Sequence, residues 1–160
     1  ARDLVLNGLY IRRMRTATTA VVVCLVGLFP DPDLTGPTLV SRLLQPLDAD
    51  LVVVTEPVDA FRKAPMLSQY ARLRGVAEPR PLTPSWRHIR IARHYHHHEV
   101  CLSLIASSER QLSRRYERVV FTRADFYWLQ QHPPLSAFEP DQIWVPSRWQ
   151  YGGGDDRHAV

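Results

Sequence analysis

Two stretches near the C-terminus carry residue types that bind phosphate, metal or sugar hydroxyls. In the first, an apolar run, Val119-Val120-Phe121, empties into Thr122-Arg123-Ala124-Asp125. A guanidinium at such a strand end can fork a phosphate with two parallel hydrogen bonds. A carboxylate two residues on offers oxygen ligands of the kind that hard Mg²⁺ or Mn²⁺ ions take. The same pair also reads more plainly as a strand-end salt bridge or an Asx turn. The second stretch, Tyr151-Gly152-Gly153-Gly154-Asp155-Asp156-Arg157-His158, gathers three of the chain's seven glycines ahead of two carboxylates, a guanidinium and an imidazole. Glycines permit positive φ and close approach of bare backbone to a ligand. Asp156 there suits a general base or a partner for a sugar hydroxyl, with Gly153, Gly154, Asp155 and His158 around it. A turn before a helix, capped by Asp155 or Asp156, is the plainer reading of the same residues.

Other chemistry-bearing groups read as structural. His94-Tyr95-His96-His97-His98-Glu99 suggests a metal, but consecutive helical side chains point about 100° apart and cannot converge on one ion. His94 and His98 form an i,i+4 pair, yet the H-E-x-x-H setting of such a zinc pair is absent. A solvated or partly buried helix face is the better reading. Arg110, Arg114, Arg115 and Arg118 likewise read as a solvated face, because the stacking aromatics of a nucleic-acid site are not interleaved with them. Cys24 and Cys101 lie far apart with no C-x-x-C or metal-like spacing, and read as buried reduced thiols rather than a disulfide scaffold. No G-x-G-x-x-G, Walker A loop or G-x-S-x-G elbow occurs, which removes the usual dinucleotide, P-loop and α/β-hydrolase readings.

The elements that must position these groups alternate between strand and helix. Val21 to Gly27 is β-branched and closed by glycine, and so reads as a buried strand. Arg12-Arg13-Met14-Arg15 before it mimics the charged start of a signal sequence. The apolar run is nonetheless about ten residues, short of the roughly twenty that span a bilayer. Leu39, Val40, Leu43, Leu44 and Leu47 have helical spacing, predicting a helix over residues 35–47 with Pro37 in its first turn. Asp50 to Thr55 is a continuous apolar run of the kind seen in parallel strands covered on both faces. A short helix is expected around Met66 to Leu73 and a long one from Ser85 to about Tyr116. Strands follow at Val119–Phe121 and Ile143–Val145. This order argues one α/β domain, a three-layer sandwich with a mostly parallel sheet. It spans residues 19–160 after an N-terminal extension of residues 1–18, and the expectation is that it continues past Val160.

Composition sets the outer bounds. A chain of 160 residues, 45% hydrophobic and 22% charged, fits one ordinary globular domain with a real core. The net charge is +4 and the pI near 9.4, which favours anionic partners without naming one. Lys63 is the only lysine among 20 basic residues, a skew that a GC-rich coding sequence explains as readily as selection for arginine.

Taken together, Val21–Gly27, Leu39–Leu47, Ala49–Thr55, Cys101–Glu109, Tyr116, Val119–Asp125 and Ile143–His158 resemble a loosely defined family of glycosyltransferases with a Rossmann-like, GT-A-like (nucleotide-diphospho-sugar transferase) fold. The resemblance covers most of the chain from about residue 20. It implies a nucleotide-sugar donor, a carbohydrate or glycoconjugate acceptor and a divalent metal, Mn²⁺ or Mg²⁺. Gly27, Arg123, Asp125 and Arg157 then become candidates for the donor phosphates, with Asp125 binding metal or ribose. Asp156 and Arg157 are expected to face the sugar or acceptor, with Asp156 as base and Gly153, Gly154, Asp155 and His158 as sugar contacts. The Arg-x-Asp motif supplies one carboxylate where such enzymes usually carry two, which leaves metal dependence open. Two other readings stand beside this one. One is a nucleotide- or sugar-binding domain without turnover. The other is a metal-dependent phosphoester hydrolase drawing on Asp31 and Asp33. The compartment stays open between the cytoplasm and, should the chain continue into an N-terminal anchor, a secretory-pathway membrane.

Overall fold

The computed structural model of the chain describes residues 21–81 and 90–145, and the backbone of residues 158–159. Strand β1 (Val21–Val26) is buried at every position, as is β2 (Asp50–Val54). Such strands, apolar apart from Asp50 at the start of β2, need cover on both faces, and the sheet has it. The strand order is β3-β2-β1-β4-β5, with β3 at Leu73–Ala77, β4 at Arg118–Arg123 and β5 at His158–Ala159. β1 runs parallel to β2 and to β4, and β2 runs parallel to β3. Among the described strands only β5 is antiparallel, pairing Thr122 with His158 and Phe121 with Ala159.

The two faces of the sheet sort by residue parity. Val21, Val23, Leu25, Leu51 and Val53 bury against Leu39, Val40, Leu43, Leu44, Phe61 and Leu67 from the helices on one side. Val22, Cys24, Val26, Val52 and Val54 bury against Cys101 and Ile105 on the other. Each fully buried aliphatic side chain contributes roughly 1.5–3 kcal/mol, so the central strands carry much of the hydrophobic stabilisation. The molecule is therefore a three-layer α/β sandwich with a mostly parallel sheet.

Local chemistry sets the helix limits. Asp31 caps helix α1 (Pro32–Leu39), its carboxylate accepting from the Leu34 N–H, and Pro32 occupies the first turn. The helix thus begins three residues before the expected start, which leaves Pro37 inside it. Proline cannot donate the N–H that the helical ladder needs there. The chain passes directly into a π-helical stretch, Val40–Leu44, in which the Gln45 N–H reaches the Val40 carbonyl. Between β2 and β3 lie two short helices, α2 (Val58–Arg62) and α3 (Pro65–Ser68). The helix expected at Met66–Leu73 ends early because Leu73 opens β3, a strand whose Arg-Gly pair masks any apolar run. Helix α4 (Arg90–Leu112) covers β1, β2 and β3. It stops where Ser113 turns to φ 51°, the left-handed conformation common just past helix ends.

Two other expectations are corrected. Cys24, at the middle of β1, and Cys101, on the overlying face of α4, have Cα atoms 6.2 Å apart and are joined as a disulfide. Their separation of 77 residues hid a contact that the layering creates. Ile143–Val145 forms no strand; Ile143 is 84% exposed. Pro140 and Pro146 bracket this short run, and Trp144 instead donates its indole N–H to the Glu139 carbonyl.

Candidate functional site at the sheet switch point

The order β3-β2-β1-β4 reverses direction between β1 and β4, and in open α/β sheets ligands bind at the carboxyl ends of the strands at that reversal. Three of the sequence candidates meet there. β1 ends at Val26 and Gly27, and β4 ends at Arg123, which pairs in register with Val26. The Ala124 N–H donates to the Val26 carbonyl at 2.9 Å, and the Gly27 N–H donates to the Val54 carbonyl at 3.1 Å. Gly27 has φ +106°, and a Cβ built there would meet nothing within 4 Å. It therefore combines a conformation that other residues adopt only with strain and a bare backbone facing open space.

Arg123 and Asp125 form a bidentate pair across the edge. The Arg123 Nε lies 2.9 Å from Asp125 Oδ1, and its Nη2 lies 2.5 Å from Oδ2. Both side chains remain part-exposed. The pair holds a cation and an anion in fixed places at the switch point, and a polyphosphate arriving there would compete with Asp125 for the guanidinium fork. Thr55 and Thr122 lie at the carboxyl ends of β2 and β4. Both are buried, and their hydroxyls have no hydrogen-bond partner among the described residues.

The metal expectation finds little support in the donor set. Both oxygens of Asp125 are engaged by Arg123, and Asp31 is taken up as the cap of α1. Among the described residues, no three His, Cys, Asp or Glu side chains gather in a metal-holding group. Gly153, Gly154, Asp155, Asp156 and Arg157 lie outside the described residues. His158 is described by its backbone alone, which pairs with Thr122, the neighbour of Arg123 in β4.

The segment after Asp125 builds a feature that sequence reasoning missed. Residues 125–133 with Phe138, Trp144 and Val145 line a cavity of about 730 Å³. The loop is tied down at two points: the Trp128 N–H donates to Thr38 Oγ1 at 3.2 Å, and the His132 N–H donates to the Arg42 carbonyl at 2.8 Å. Trp128, His132, Phe138 and Trp144 follow one another as ring neighbours with centroids 5.9, 5.9 and 5.5 Å apart. His132 is buried, which pushes its pKa down against the opposing pull of a hydrogen bond to the Pro133 carbonyl. The signal was present as Phe126-Tyr127-Trp128 immediately after the Arg-x-Asp motif, but no periodicity marks a loop.

The other polar clusters are structural. Asp50, fully buried at the start of β2, accepts from Arg74 at 2.9 Å, Arg114 at 2.8 Å and the Tyr116 hydroxyl at 2.7 Å. Burial alone would raise its pKa, but the bonds from Arg74 and Tyr116 and the two positive charges bring it below the usual value. Burial and the Asp50 charge push Tyr116 up to about 12. Arg114 is thus drawn into the core. Arg118, another of the arginines read as solvated, donates to the Phe138 and Glu139 carbonyls. On α4, His94 and His98 meet edge-on at 4.2 Å, His98 lies 4.8 Å from the Phe121 ring, and His96 contacts Glu99. No helix among the described residues is long and apolar enough to cross a membrane.

Comparison with curated proteins and with solved structures returns no match. Residues 16–160 match the profile of a domain of unknown function, DUF7796, and the chain belongs to that family.

Proposed function

We propose that the domain is a glycosyltransferase that binds a nucleotide-sugar donor across the β1–β4 switch point. The observation that carries this reading is the convergence of Gly27, Arg123 and Asp125 at one carboxyl edge, opening beside a cavity of about 730 Å³. In sugar transfer the departing nucleoside diphosphate gains negative charge, and a fixed guanidinium at its position lowers the barrier electrostatically. Arg123 takes that role. Gly27 lets the phosphates approach the backbone, and Asp125 orients Arg123 or accepts from a ribose hydroxyl. Asp156, with Arg157 beside it, is the proposed base and acceptor contact. A second reading, nucleotide or sugar binding without turnover, is favoured by one observation: Arg123 already satisfies both oxygens of Asp125.

Titration calorimetry with a panel of nucleoside diphosphates, with and without Mn²⁺, tests the proposal. At least one should bind, and Arg123→Ala should weaken it by roughly 1.5–3 kcal/mol, the usual worth of a hydrogen bond to a charged group. Asp125→Ala separates the two roles of that carboxylate. Weaker binding marks a ligand contact, and tighter binding marks a competitor for Arg123. Silence across the whole panel would sink the donor-site reading.

A further inference from the structure

The aromatic cavity beside the switch point has a lining that identifies a class of ligand. Its walls combine flat apolar surface from Phe126, Tyr127, Phe138 and Trp144 with the amides of Gln130 and Gln131 and the carboxylate of Asp125. A pyranose ring presents the complementary surfaces. One face is a patch of C–H groups that packs on an aromatic ring, and the rim is a belt of hydroxyls, each at once donor and acceptor. Side-chain amides, which offer both kinds of group, and a carboxylate, which accepts only, satisfy such a belt. The volume lies within the range of about 300–1,000 Å³ usual for small-molecule sites.

Other occupants fit less well. An alkyl chain would cover the exposed amides of Gln130 and Gln131, which is costly without replacement hydrogen bonds. A nucleobase favours a slot between parallel rings, whereas successive rings here meet at 41°, 47° and 65°. Tilted rings leave single faces on offer, which is what a sugar uses. Because Trp128 is tied to Thr38 in α1 and His132 to Arg42 in the π-helical stretch by backbone N–H bonds at 3.2 and 2.8 Å, the loop that forms one wall stands in place before a ligand arrives, and less ordering is needed on binding.

We propose that the cavity lined by Tyr127, Gln130, Gln131, Phe138 and Trp144 is a carbohydrate site that takes a pyranose ring. Under the glycosyltransferase reading, on which this assignment of role rests, that ring belongs to the acceptor. Asp125 lines the cavity and is also paired with Arg123 at the carboxyl edge of the sheet, so the acceptor hydroxyl would be presented towards the donor site. Saccharide binding itself does not depend on that reading.

The test is tryptophan fluorescence and saturation-transfer NMR on the full chain, with methyl glycosides and disaccharides of glucose, galactose, mannose, xylose and N-acetylglucosamine at millimolar concentration. At least one saccharide should bind, and Trp144→Ala and Tyr127→Ala should each weaken it about tenfold, in keeping with the worth of one aromatic contact. Gln130→Ala, an exposed position that does not support the fold, should also weaken it. Nucleoside diphosphate affinity, measured in parallel, should be unchanged in all three variants. If no saccharide binds, the proposal fails even where a nucleotide does, and saccharide binding without nucleotide binding removes the donor reading alone. Nucleotide binding lost in Trp144→Ala would reassign the cavity to a nucleobase. Binding of a detergent or fatty acid in place of every sugar would reassign it to a lipid.

Discussion

Single residues decide how the switch-point edge and the α4 histidines respond to charge. Arg123 and Asp125 were legible as a pair from their spacing, and the plainer of the two sequence readings, a strand-end salt bridge, is what the geometry contains. The bridge does not remove the phosphate reading, because a guanidinium held in place by a carboxylate is already oriented. What the sequence could not show was the position of Gly27 across the edge, since β1 and β4 are separated by the whole crossover through β2, β3 and α4. His97 carries a prediction of its own. Burial is the main cause, with Arg93 and His94, His96 and His98 adding to it, of a pKa pushed down to about 4. A depressed imidazole is neutral in the fold and protonates first in the unfolded chain. Its contribution is therefore fully present above the ordinary value near 6.5 and is lost as pH falls from there towards about 4. The size is roughly 3 kcal/mol, and buried His132 adds to it in the same direction. Thermal melts between pH 7.5 and 4.5 should show this decline, and His97→Gln should flatten most of it. An unchanged slope in that variant would mean that the decline arises elsewhere.

Elements succeed or fail in the sequence according to whether a period survives in them. β1, β2, β4 and α4 are long, apolar or periodic, and each was legible to within a few residues at the ends that are described. β3 was not, because Arg74 and Gly75 break its run; Gly75 sits where an added Cβ would come within 3.3 Å of Leu104. Ile143–Val145 had the composition of a strand but pairs with no strand among the described residues, and composition alone does not make a ladder. Contacts between elements are the least legible level, and two of them carry testable consequences. Asp50 ties β2 to β3 through Arg74 and to the end of α4 through Arg114. Asp50→Asn should destabilise the fold by about 3–5 kcal/mol in urea unfolding, because it leaves two guanidinia without their shared anion. A loss below about 1 kcal/mol would show that water reaches this network. Cys24–Cys101 joins β1 to α4 across a separation of 77 residues, worth about 4 kcal/mol in the chain-entropy view. Reduction, or the double variant Cys24→Ala/Cys101→Ala, should lower the melting temperature; identical melts with and without reductant would argue against the bond.

For the molecule as a whole, the sequence carried the layer order because each layer has its own hydrophobic pattern: continuous runs for strands covered twice, and 3.6-residue spacing for the helices that cover them. The site was half legible. Residues at strand ends announce themselves by ending an apolar run, so Arg123 and Asp125 could be named from the sequence, and the family resemblance added Gly27. The aromatic cavity belongs to an irregular loop whose rings come together only after that loop is hung on Thr38 and Arg42, and no spacing rule foretells that. Asp125 belongs to both features, which is why ligand binding at the β1–β4 reversal is the central claim. Amide chemical-shift mapping on isotope-labelled protein, titrated with the nucleoside diphosphate that binds best, tests it most directly. The largest shifts should fall on Gly27, Arg123, Ala124 and Asp125, with little change at Asp50, Arg74 and Arg114 at the opposite edge. Shifts centred on that opposite edge, or none anywhere at saturating nucleotide, would contradict it.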